Sequence, residues 1–295
     1  MATLLPVMRN FAARKAALGG GAAQDGKEKT LSQHQSRDGG FARDSLPSRA
    51  PALGWTKMDL INELAAIHGY RSYLEICTPT TGTIYRALDR GRYSVSHRLM
   101  YRYRDQFDDG MVIDFCSASP GSGEGASAIR AAGLTYDVIL VDPYHEYETS
   151  AQDLREACTL LKPKGTIVVH DCNPEEEAFV TPHYRDGSWC GLTYKAYLDI
   201  LLESVRLQSC TVDTDHGCAI VRPRPLVSRL RHLASRAVGA IVRDRRRRLL
   251  QEWRQVGKDD AAAFRLLKAH TKSLLNLVTV EEFLAGERAG ATVLR

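Results

Sequence analysis

The sequence predicts an α/β protein built on a doubly wound, mostly parallel sheet that ends in an antiparallel hairpin. Three observations carry this. Two short apolar runs, Val138 to Val141 and Thr166 to Val169, are bounded by turn signals and suit strands buried on both faces. Between them, Glu148 to Leu161 places Leu154, Ala157, Cys158 and Leu161 at helical spacing, and Lys162-Pro163-Lys164-Gly165 stops that helix. A strand, a helix and a strand make a βαβ unit with a right-handed crossover. Finally, Leu207 to Val212 and Cys218 to Val221 are β-rich and separated only by Asp213-Thr-Asp-His-Gly217, a turn that requires antiparallel pairing.

Order is expected from Trp55. Met58, Leu60, Ile61, Leu64, Ala65 and Ile67 make an amphipathic helix that stops at Gly69. Arg71 to Cys77 reads as the first strand, Thr78 to Gly82 as the turn into a helix ending around Asp89, and Tyr93 to Ser96 as the second strand. A basic and aromatic stretch, Arg98 to Phe107, leads to a third strand near Val112 to Cys116, a Gly/Ser-rich loop and a helix near Gly125 to Ala132. After the central unit, Trp189 to Val205 reads as a helix that precedes the hairpin. Alternating β and α elements closed by a hairpin make a doubly wound sheet. Beyond Pro225 the pattern is helical throughout, so the chain divides into a disordered arm at 1–50, an α/β domain at 51–225 and a basic helical extension at 226–295.

The formal charge of +5 is unevenly spread. Residues 1–50 hold 8 basic against 4 acidic side chains and residues 226–295 hold 15 against 7, which leaves 17 against 24 in the centre. The basic ends therefore say nothing about the substrate of the middle. Arg243 to Arg248 is a solvated helix face on the plainer reading, and a contact for nucleic acid or an anionic membrane surface on the sharper one. Seven Cys without a C-x-x-C pair read as reduced thiols and point to the cytoplasm. No apolar run reaches the ~18 residues of a membrane span. Arg9, Arg14 and Lys15 without acids faintly suggest a transit peptide, but the unpatterned Gly, Ala, Gln and Ser up to Pro51 read as a disordered tail.

In open α/β sheets ligands bind beyond the carboxyl ends of the strands. Here those ends carry Asp142, His145, His170 and Asp171. Tyr73-Leu-Glu-Ile76, Asp142-Pro-Tyr-His145-Glu-Tyr147, His170-Asp171 and the Val-Asp-Thr-Asp hairpin succeed one another in the order of the elements. In this order and placement the chain resembles class I S-adenosylmethionine-dependent methyltransferases from about Trp55 to Arg222, and within them the small-molecule and sugar O-methyltransferases. The resemblance implies a seven-stranded Rossmann-like sheet, S-adenosylmethionine as cofactor and a small-molecule hydroxyl as methyl acceptor. It implies Glu75, Cys77, Gly82, Ser96, Ser117 and Asp142 as cofactor-binding residues, and Asp142, His145, His170 and Asp171 as catalytic ones. As in some metal-dependent relatives, Asp142 and Asp171 are also candidate ligands of Mg²⁺, a cation that prefers carboxylate and water oxygens.

Each has a plainer reading. Glu75 bonds loop amides, Asp142 and Asp171 cap the loops or helices after them, His145 lies on a surface turn, and His170 satisfies a backbone group. The chain also departs from the family pattern. Cys77 stands where Gly usually comes after Glu-Ile, and its Cβ narrows the approach of backbone to ligand. Ser96 stands where an acidic ribose partner is expected, without the strength of a charge-assisted bond. Two rivals stay open: a catalytically degenerate scaffold, on Cys77 and Ser96, and a glycosyltransferase-like transferase, on Asp213-Thr-Asp215. Oligomeric state is not legible.

Overall fold

A computed structural model describes residues 54–77, 90–101, 114–119, 122–204, 206–225, 245–291 and 293–294. The expected N-terminal arm, the helix ending near Asp89, the candidate Gly82, the first part of the Val112 to Cys116 strand and residues 226–244 lie outside them.

The first helix, α1 (Lys57–His68), starts at a capping box in which Thr56 and Asp59 satisfy each other's backbone N–H groups, and stops at Gly69 with φ 67°. Next come β1 (Ser72–Cys77), a 3₁₀ turn (Arg90–Arg92), β2 (Val95–Tyr101), β3 (Phe115–Ser117) and α2 (Glu124–Ala131). The central unit is β4 (Tyr136–Asp142), α3 (Tyr147–Leu160) and β5 (Leu161–Val169). Helix α4 (Thr193–Glu203) leads into the hairpin β6 (Leu207–Val212) and β7 (Cys218–Pro223). Helices α5 (Arg245–Val256) and α6 (Asp260–Leu274), strand β8 (Leu277–Val278) and helix α7 (Val280–Arg288) complete the chain.

The strands form one sheet in the order β3-β2-β1-β4-β5-β7-β6-β8. β1 to β5 run parallel, and β7 is antiparallel to both β5 and β6. The doubly wound, mostly parallel α/β architecture is therefore as expected, with an eighth strand added. That addition corrects the helices-only reading of the tail: Leu277 and Val278 pair with Thr211 and Val212 at the sheet's edge.

Alternation along the strands sends side chains to two cores. Tyr73, Val138, Leu140, Val168 and Ile220 meet Leu60, Ile61 and Leu64 of α1 and Phe283 and Leu284 of α7. Leu74, Ile76, Ile139, Val141, Ile167 and Val169 meet residues of α2 to α6, including Ala157, Tyr197, Trp253 and Leu267. Each fully buried aliphatic side chain contributes about 1.5–3 kcal/mol. Trp253 also donates its ring N–H to Asp199 Oδ1 at 2.8 Å, which ties α5 to α4.

Two strand boundaries differ from expectation. β5 succeeds α3 without a turn, because Lys162 to Gly165 form an irregularity between the pairs Tyr136↔Leu161 and Val138↔Thr166. Pro163 is tolerated there because it owes the ladder no donor. The second strand is Val95–Tyr101, later than the Tyr93 to Ser96 expected, and its register sets Ser96 beside Tyr73 while Met100 faces Cys77. The charged Arg98 disguised this strand; it is 2 % exposed and sits opposite Glu75.

The strand order reverses between β1 and β4. Their last residues, Cys77 and Asp142, are register partners, so the crevice outside the sheet opens between them.

Candidate active site

Asp142 ends β4, and its side chain lies on the α1 face of the sheet, 1 % exposed. His145 comes three residues later. Its Nδ1 lies 2.7 Å from the Trp189 carbonyl, which fixes the proton on that nitrogen and leaves Nε2 to the site. Nε2 is 3.4 Å from Asp142 Oδ1 and 3.1 Å from Asp171 Oδ2. The loop before α4 passes directly over this histidine: Leu192 N–H donates to the His145 carbonyl, and Gly191 adopts φ 54°. A Cβ at Gly191 would fall 2.1 Å from that carbonyl oxygen, so only Gly fits.

His170 comes directly after the last residue of β5. Its Nδ1 is 3.0 Å from Asp171 Oδ2 and 3.3 Å from Asp142 Oδ1. Asp171 takes φ 58°, unusual for a residue with a Cβ, and this turns its carboxylate back toward both imidazoles. The hairpin turn supplies Asp215, whose Oδ1 is 3.3 Å from His170 Nε2, close enough for charge attraction though out of line for a hydrogen bond. The turn is held down by backbone bonds from Cys172 to Gly217 and from Asn173 to His216. α1 delivers the remaining group. Lys57 donates its backbone N–H to Asp215 Oδ2 at 2.9 Å and its Nζ to Asp142 Oδ2 at 3.0 Å, and Nζ lies 3.2 Å from His170 Nδ1.

Three carboxylates thus face one ammonium and two imidazoles, six groups whose charges cancel when all are ionised. Each shift comes from burial set against this pairing. Burial alone would raise the Asp142 carboxyl, but Lys57, His170 and the bond from His145 hold it well below the usual range. Asp171 and Asp215 are lowered against burial by His170 above all, with help from His145 and Lys57 respectively. Burial would lower both histidines, yet the neighbouring carboxylates outweigh it: His145 is raised and His170 is raised well above its ordinary value. Lys57 is raised in the same way, against burial, by Asp142 and Asp215.

The structure brings the four candidate catalytic residues together, and it gives His170 side-chain partners in place of the backbone partner of the plainer reading. Of the cofactor candidates, Glu75 and Cys77 lie on the same face of β1 as Asp142 on β4, and both are fully buried. Glu75 Oε2 accepts from Tyr73 Oη at 2.9 Å. Oε1 has the Cys77 thiol nearby but no well-aligned hydrogen bond among the described residues. Burial raises the Glu75 carboxyl, and the Cys77 thiol, Arg98 and Tyr73 oppose it. Burial likewise raises the Cys77 thiol, which keeps it neutral. Ser117 ends β3 and accepts the Gly125 N–H at 3.0 Å, closing the start of α2. Ser96 must be corrected. Pairing with Tyr73, it lies four residues, about 13 Å, back along β2 from the level of Cys77, at the wrong end of the sheet.

Two residues of the cluster were missed. Lys57 carries no sequence signal, being one lysine at a helix start. Asp215 was visible in Asp213-Thr-Asp215 but only as part of the hairpin turn and as the basis of the glycosyltransferase-like rival; the fold brings its turn against Asn173, where a Cβ on Gly217 would stand 2.4 Å from the Asn173 Cβ.

No family model matches this chain. No curated protein matches it by sequence either. Among solved structures it is similar to an O-methyltransferase from Bacillus cereus in complex with SAH, at 14% identity and TM-score 0.42, over 59% of this chain and 84% of that one. It is similar to the SAH-bound Podospora anserina methyltransferase PaMTH1, at 15% identity and TM-score 0.40, over 57% and 77% of the two chains. It is also similar to the O-methyltransferase TomG of Streptomyces achromogenes in complex with SAM, at 15% identity and TM-score 0.35, over 59% and 83%.

Proposed function

We propose that this protein transfers a methyl group from S-adenosylmethionine to a hydroxyl oxygen of a small molecule, a sugar among the candidates. The observation that carries this reading is the imidazole and carboxylate cluster at the carboxyl ends of β4 and β5, next to the crevice between Cys77 and Asp142. The Tyr73 to Ile76, Asp142 to Tyr147 and His170-Asp171 motifs support the same family. Bound there, S-adenosylmethionine supplies an electrophilic methyl group on a sulfonium. The chain's task is to align an oxygen with it and take up the hydroxyl proton.

The buried Glu75, with one oxygen open to a further donor among the described residues, fits an amine or hydroxyl of such a cofactor. His145 is the base in this reading. The Trp189 carbonyl holds its Nδ1–H, so Nε2 accepts the proton, and Asp142 and Asp171 stabilise the resulting imidazolium. His170, Asp171 and Asp215 fix the geometry around it. The seven free thiols support a reducing, cytoplasmic setting, and no helix among the described residues is long and apolar enough to cross a membrane.

The test is transfer of labelled methyl from S-adenosylmethionine to a panel of sugars, phenols and hydroxylated natural products. Transfer that fails in Asp142→Asn supports the reading. A correctly folded protein that neither binds the cofactor nor methylates any acceptor refutes it.

A further inference from the structure

Asp142, His170 and Asp171 offer ligand atoms that all lie within 4.8 Å of one another, a set whose composition suits a divalent cation. The surroundings do not. Lys57 Nζ stands 3.0 Å from Asp142 Oδ2 and 3.2 Å from His170 Nδ1, against two of the three residues an ion would draw on. It is not a wandering surface lysine. Its side chain is 12 % exposed, and its own backbone N–H is anchored on Asp215. The Thr56 capping box fixes the start of α1, and Thr214 Oγ1 donates to the Trp55 carbonyl just before it. The helix start also turns its positive end toward the carboxylates. A divalent ion at Asp142 would have to share that carboxylate with an ammonium a few ångströms away.

We propose that the Lys57 ammonium is the resident cation of this acid cluster, filling the place a divalent metal would take, so that the site is organised without one. Lys57 is then a positioning residue. It neutralises Asp142, holds that carboxylate toward His145 and His170, and leaves the orientation of an acceptor hydroxyl to hydrogen bonds in place of Lewis-acid contact. The inference deepens the reading of the same site as a methyltransferase centre, but its test needs no methyl transfer, so the two can fail separately.

The experiment titrates Mn²⁺ into the full chain and into Lys57→Ala, following bound Mn²⁺ by electron paramagnetic resonance and stability by thermal melting. Up to about 1 mM Mn²⁺ should leave the wild type with an unaltered melting temperature and no cluster-bound ion. Lys57→Ala should melt lower, and Mn²⁺ should raise its melting temperature by about 5 °C or more as the ion enters the vacated place. Adding Asp142→Asn to that variant should abolish the gain. Mn²⁺ binding to the wild type that Asp142→Asn removes would overturn the proposal, as would a folded Lys57→Ala that Mn²⁺ leaves unmoved. Should Lys57→Ala not fold, the wild-type titration with its Asp142→Asn control decides alone.

Discussion

Glu287→Gln tests how the C-terminal segment is fastened to the sheet. Arg222 on β7 donates two parallel bonds to Glu287 on α7, Nη1 to Oε1 at 2.9 Å and Nη2 to Oε2 at 2.8 Å, and His68 Nε2 lies 2.5 Å from Oε2. The side chains of Glu287 and Arg222 are 3 % and 16 % exposed. Removing one partner of a fully buried ion pair costs about 3–5 kcal/mol, because the other charge stays behind. Here Arg222 keeps some water and its bond to Thr166, and Gln retains one acceptor oxygen, so the expected loss is about 2–4 kcal/mol. At roughly 2–4 °C per kcal/mol for a domain of this size, the melting temperature should fall by roughly 5–15 °C. The glutamate itself is lowered: burial opposes the shift, and His68 and Arg222 overcome it. A depressed carboxylate stabilises above its unfolded value near ~4.3, and the contribution is lost as pH falls through the lower folded value. Urea unfolding of both proteins at pH 7 and below pH 4 measures this, and the gap between them should narrow in acid. A loss under about 0.5 kcal/mol at pH 7 would refute the account of α7 as a clamped part of the fold.

Other outcomes concern the site. His145→Ala should lower turnover by about 10²-fold or more while cofactor affinity stays nearly unchanged; full activity in that variant, with loss in a normally melting His170→Ala, would move the base to His170. Because the carboxylates raise His145, turnover should climb with pH through a value above ~6.5, and a flat profile from pH 6 to 9 would contradict a base at this position. The cluster also sets a stability window. Raised histidines contribute fully below ~6.5 and lose that as pH rises through their folded values, while depressed aspartates contribute above ~4 and lose it as pH falls, so melting temperature should be highest between these limits. The alkaline decline should shrink in His170→Gln, and equal slopes would sink this explanation. Gly191→Ala should cost about 1–3 kcal/mol and displace His145, and a variant that melts and turns over like wild type would show that the loop yields freely.

Much of the fold was legible because burial on both faces leaves a strong signature. The apolar runs at 138–141 and 166–169 and the hairpin strands fall inside β4, β5, β6 and β7 as observed. The periodicity from Met58 to Ile67 marked α1 because one of its faces meets the sheet. Legibility failed where a charge is buried or an element is short. Arg98 interrupts the apolar pattern of β2 yet is paired within the sheet, and the resulting misplacement carried Ser96 to the wrong end. β8, two residues long, has no period of its own and exists only through pairing with β6. In the site, residues adjacent to strand ends were readable because strand ends are where open sheets bind ligands. Lys57 and Asp215 were not, since they reach the cluster from α1 and from the hairpin turn, at 85 and 73 residues' remove from Asp142.

Isothermal titration calorimetry on the intact chain, with S-adenosylhomocysteine in one series and a panel of nucleotide sugars in another, separates a methyltransferase site from its rivals. S-adenosylhomocysteine should bind at one site per chain, Glu75→Gln should weaken that binding, and the nucleotide sugars should give no saturable heat. Saturable binding of a nucleotide sugar by a protein that ignores S-adenosylhomocysteine would contradict the methyl-transfer reading.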